Sequence, residues 1–67
     1  MNATLDSKDM NRIEIFMNAA YQINEGGDIA SNTQTARRAL YIMSLEAQEV
    51  AFNQYKAEFG HEWHERS

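Results

Sequence analysis

The chain has 67 residues, ten acids against six Lys and Arg, and no cysteine; its net charge is −4 and its pI near 4.9. That length allows one domain, 1–67, which buries only about 60% of the surface of its unfolded chain and is marginal alone. Disulfides and thiolate metal sites are excluded, so an oligomer interface is the expected support. The negative field also disfavours a nucleic-acid binder held by phosphate contacts.

Residues 1–8 lack the apolar run of a signal peptide, and no stretch approaches the ~20 apolar residues of a membrane span. The expectation is a cytoplasmic protein with no membrane association. The absence of cysteine fits a reducing compartment.

The first element is a helix over about residues 7–25. Asp6, or Ser7 one residue later, can cap it. Asp9 lies in the first turn, where the helix dipole favours negative charge. Met10, Ile13, Phe16, Met17, Ala20, Tyr21 and Ile23 recur at helical spacing and make one apolar face. Ile15 points to the polar side. Gly26-Gly27 ends the helix, since glycine takes up the left-handed conformation that closes a last turn. No strand or P-loop lysine accompanies the pair, so it is not read as a phosphate cradle.

The second element is a helix over about residues 31–60. Asp28, Ser31 and Asn32 all offer caps, and Ser31 with Gln34 has capping-box spacing. From Thr33 to Phe59 there is no proline or glycine, and Ala, Leu, Gln, Glu and Met abound. Such a helix is roughly 40 Å long and overhangs the first. It carries two adjoining apolar stripes. Ala36, Ala39, Leu40, Met43, Ala47, Val50, Ala51 and Ala57 form one of mostly small residues. Tyr41, Leu45, Phe52, Tyr55, Phe59 and Trp63 form the other, which is large and mostly aromatic. The first helix covers only one stripe, so the second is the expected interface. The expected fold is therefore all-α, a two-helix hairpin that dimerises into a four-helix bundle.

Residues 61–67 follow Gly60 as a possible flexible tail. Glu58, His61, His64 and Glu65 are the only residues with a claim to a metal site. Glu58 and His61 have the spacing of di-iron carboxylate proteins, but the chain has one such pair and lacks the further glutamates. His61 and His64 stand three apart, not at metalloprotease spacing. No catalytic residue, cofactor or metal is assigned, and the chain is expected not to be an enzyme.

Two helices, a short loop and the ending Ala57-Glu58-Phe59-Gly60 give a layout similar to the Rop family of hairpin dimers. The resemblance is architectural and implies a four-helix bundle. The family's RNA binding is not carried over, because Lys8 and Arg12 on the first helix are offset by Asp6, Asp9 and Glu14. The functional expectation is a non-enzymatic protein–protein interaction module or regulator. It acts as a homodimer on another protein, as accessory products of phages and mobile elements do. The alternatives are a nucleic-acid-binding hairpin dimer and a metal-binding helical protein.

Overall fold

The computed structural model of the chain describes residues 5–63. It contains three helices: α1 (Ser7–Asn24), α2 (Ile29–Ile42) and α3 (Leu45–Phe59). α1 starts as its sequence dictates. Asp6 is the N-cap, and its Oδ1 accepts from Asp9 N at 2.8 Å. The helix ends in a Schellman turn. Gly27 N donates to Gln22 O at 2.7 Å, Gly26 N donates to Ile23 O at 3.4 Å, and Gly26 takes φ +92°. Gly27 is needed for a different reason: a Cβ there would lie 2.9 Å from the Gln22 carbonyl oxygen.

α2 starts at Ile29, two residues before the expected position. Asp28 takes the cap, accepting from Ser31 N through Oδ1 at 3.2 Å. The main correction comes at the other end. Segment 31–60 is not one helix, and the fold is a three-helix globule rather than a two-helix hairpin. Met43 and Ser44 are extended, with ψ of 155° and 162°, and Ser44 caps a new helix.

Neither residue breaks helices by its own nature. The break is stable because its loose backbone groups find partners. Ser44 N donates to Asp9 Oδ1 at 3.2 Å, and Ser44 Oγ donates to Asp9 Oδ2 at 2.9 Å. The same Oγ accepts from Ala47 N at 3.1 Å. Arg12 Nη1 donates to Ile42 O at 3.2 Å. Gln48 Nε2 donates to Leu40 O at 2.8 Å and to Met43 O at 3.4 Å. The first turn of α1 thus grips the joint between the other two helices.

These contacts fix the topology. Arg12 meeting Ile42 shows α2 running antiparallel to α1. α3 then returns in the same sense as α1. Ser44 lies at Asp9, the rings of Phe52 and Tyr55 lie 6.3 and 6.1 Å from Phe16, and Phe59 lies 5.2 Å from Tyr21. α1 packs against both neighbours, more extensively against α2, whereas α2 and α3 scarcely touch. The core is Ile13, Phe16, Met17, Ala19 and Ala20 of α1, Ala36, Ala39 and Leu40 of α2, Met43 of the joint, and Ala47, Ala51 and Tyr55 of α3. Buried alanines on all three helices allow close approach. Among the described residues, no buried side-chain N or O lacks a hydrogen-bond partner.

The clamp has a measurable signature. Asp9→Ala and Ser44→Ala should each lower stability by about 1–3 kcal/mol: Ser44→Ala strands the buried Asp9 carboxylate, and Asp9→Ala removes both acceptors that hold the joint. In a double-mutant cycle read by urea unfolding, the pair should couple by about 1 kcal/mol or more. Additive losses would show that the two residues do not act together.

Candidate functional site

The break redistributes the aromatic stripe. Restarting the helix at Leu45 resets the angular phase, so residues on either side of Ser44 no longer share one face. Tyr55 is buried in the chain's own core, and Phe59 and Trp63 pack partly buried against it. Phe16 is the hub, with Trp63 at 5.1 Å edge-on, and Tyr55 lies 5.4 Å from Trp63 and 4.5 Å from Phe59. Each such pair adds about 0.5–1.5 kcal/mol beyond its buried area. Gly60, at φ +82°, closes α3 and turns the chain so that Trp63 comes back to Phe16. Of the segment read as a tail, residues 61–63 follow this turn and residues 64–67 lie outside the described residues.

Tyr41 and Leu45 are left almost fully outside, at 87% and 81% exposure, while Ile42 and Phe52 keep 55% and 38%. These four are half of the eight exposed large hydrophobic residues among those described, and they cluster around the α2–α3 joint. The joint opens into a cleft of about 390 Å³ between α2 and α3, lined by Arg37, Leu40, Tyr41, Gln48, Phe52 and Trp63. Val50 and Ala57, expected in the small-residue stripe, are exposed, Val50 at 41%. The same change of phase accounts for both. Ile15 is exposed, as its place on the polar side of α1 implies.

On the opposite flank of α3 a larger groove, about 710 Å³, runs between α1 and α3. Ile13 and Met17 form its floor, Met10 and Val50 its walls, and Tyr21 and Glu58 lie at one end. Sequence reasoning missed it, because a groove between α1 and α3 exists only once the long helix is broken.

Two of the metal candidates, Glu58 and His61, lie among the described residues. Glu58 lies beside the Tyr21 phenol in the lining of the α1–α3 groove. The His61 ring stacks edge-on against Tyr55 at 5.4 Å, with its Nδ1 3.1 Å from the Glu62 carbonyl oxygen. His64 and Glu65 lie outside the described residues. Among the described residues, no group of three or more His, Asp or Glu converges as metal ligands would. No helix among them is long and apolar enough to cross a membrane.

The hydrogen bond to Glu58, helped by burial and by the negative charges of Glu58 and Glu25, raises the Tyr21 phenol above the usual tyrosine range. A raised folded-state pKa favours the neutral phenol. Its contribution to stability is therefore complete below the unfolded tyrosine pKa and disappears as pH rises through the folded value. In an ultraviolet titration of the tyrosines, Glu58→Ala should lower the Tyr21 midpoint. An unchanged midpoint would remove Glu58 as the cause.

Comparison with known proteins finds no matching family model, no similar curated protein and no similar solved structure. The functional reading therefore rests on the chain's own residues and their arrangement.

Proposed function

We propose that this chain is a small, non-enzymatic, cytoplasmic interaction module that pairs with a second copy of itself and acts by binding another protein. The observation that carries the reading is the exposure of Tyr41 and Leu45 on either side of the α2–α3 joint, with Ile42 and Phe52 beside them. Fully burying side chains of this size stabilises an assembly by about 1.5–3 kcal/mol each, before ordering costs. A 67-residue chain without disulfides gains most from such support.

Charge favours a second copy as the partner at this surface. α2 carries Arg37 and Arg38 and no acid, whereas α3 carries Glu46, Glu49 and Glu58 against Lys56 alone. On their helices, Arg38 shares a face with Tyr41 and Ile42, and Glu49 shares a face with Leu45 and Phe52. A two-fold pairing that joins the apolar patches brings Arg38 of each copy toward the partner's Glu49, a self-complementary arrangement.

A second reading has one observation in its favour. Gln34, Arg37, Arg38 and Tyr41 line a common surface on α2, the helix that lacks acids. This is where a nucleic-acid phosphate would be met. Two arginines neutralise few phosphates against a net charge of −4, so protein binding is preferred. Tight, salt-dependent mobility shifts at low salt would reverse that preference.

Light scattering at micromolar concentration should give twice the chain mass. Leu45→Glu should return the mass to that of one chain with unchanged helical circular dichroism, because Leu45 lies outside the core. Asn53→Glu, at an exposed polar position, should leave the pair intact. A folded wild-type monomer at that concentration would overturn the self-pairing.

A further inference from the structure

The groove between α1 and α3 is a second surface, separate from the α2–α3 cleft. The two lie on opposite flanks of the buried Ala47, Ala51 and Tyr55, so pairing through Leu45 leaves this groove open. Its floor is apolar and continuous, with Ile13 and Met17 buried, Met10 60% exposed and Val50 41% exposed. It follows α1 from Leu5 to Tyr21, which at helical rise is about 24 Å, the length of roughly four turns of another helix. Small-molecule sites are enclosed and bury most of their ligand. A long open trough fits instead a helix that lays one face into it, read as i, i+3, i+4 and i+7 anchors.

Charge defines the kind of helix. Glu14 and Glu58 line the groove, one from α1 and the other from α3, and among the described residues no Lys, Arg or His lines it. The remaining polar lining is Ser7, Asn11, Asn18 and Gln54, all neutral. Glu58 lies with Tyr21 in the lining of the groove. Methionine at the wall (Met10) and the floor (Met17) suits such a site, because the unbranched thioether adapts to differing apolar side chains.

We infer that the α1–α3 groove binds an amphipathic helix of a partner protein, with its apolar face against Ile13 and Met17 and with Lys or Arg at its edges facing Glu14 and Glu58. This assigns a partner chemistry to a face that self-pairing does not use, and it holds whether or not the chain pairs.

The probe is a synthetic amphipathic helix of about sixteen residues, built of Leu and Lys. A control carries Glu in place of every Lys. Fluorescence anisotropy reads affinity, and methyl-labelled methionine NMR reads location, both on the full chain and on Leu45→Glu. The Lys peptide should bind saturably and shift the Met10 and Met17 methyls in both proteins. The Glu peptide should bind at least about tenfold more weakly, as should the Lys peptide to the Glu14→Lys, Glu58→Lys double variant. Met10→Glu, at an exposed position, should weaken binding without loss of helical signal. Three results would overturn the proposal: no saturable binding, equal binding of both peptides, or binding of the Lys peptide that leaves Met10 and Met17 unshifted. Loss of binding in Leu45→Glu alone would place the peptide at the pairing surface and equally refute a groove site.

Discussion

Asp9 is a carboxylate nearly removed from water, and it accepts hydrogen bonds from both Ser44 N and Ser44 Oγ. A buried carboxylate is costly without partners. The extended backbone at Ser44 likewise forfeits helical hydrogen bonds. Each cost is offset by the other group, so neither arrangement stands without its counterpart. Arg12, one turn beyond Asp9, adds a donor to the Ile42 carbonyl, and Gln48 satisfies two more carbonyls from the far side of the break. The joint is thus a cap made largely by another helix.

Everything distinctive about the surface follows from that joint. Were residues 31–60 one rod, Tyr55 and Phe59 would extend beyond α1 and lack partners within the chain. Folded back, they reach Phe16 and Tyr21, and the turn at Gly60 brings Trp63 onto the same ring cluster. The apolar excess of the C-terminal half is then consumed in part inside the chain. What remains is the group nearest the bend, where geometry prevents burial. α2 and α3 diverge from a two-residue link and leave Tyr41, Ile42 and Leu45 on the outside of the corner. The proposed pairing surface is a by-product of the corner, and the methionine-walled groove is the seam where α3 meets α1.

Much of this was legible in the sequence where the signals are local. The Asp6 cap, the double-glycine stop and the Gly60 stop all lie where backbone chemistry puts them, and Ile13, Phe16, Met17 and Ala20 of the apolar face of α1 are in the core, whereas Met10 is exposed. The small-residue stripe is buried from Ala36 to Ala51 apart from Val50. The break was not legible, because Met43-Ser44-Leu45 holds no glycine or proline and serine is only mildly unfavourable within a helix. The partner that makes Ser44 a cap lies 35 residues earlier. Two signals point the right way in retrospect: serine two residues before Glu46 fits a helix start, and a helix apolar over more than half its circumference is a candidate for folding on itself. The same blindness merged Tyr41, Leu45 and Phe52 with Tyr55, Phe59 and Trp63 into one stripe, although the fold divides them between surface and core.

The most direct measurement is a distance across the joint. The chain has no cysteine, so spin labels at Ala30→Cys and Ala57→Cys, both exposed, report without background. The labelled protein is diluted with unlabelled chain so that only distances within one copy are read. Pulsed electron paramagnetic resonance should give a single population centred at roughly 20 Å, as two helices that both pack along α1 require. It should lengthen or broaden when Asp9 is replaced by alanine. A population near 40 Å, the span of an unbroken helix between those positions, would contradict the three-helix account.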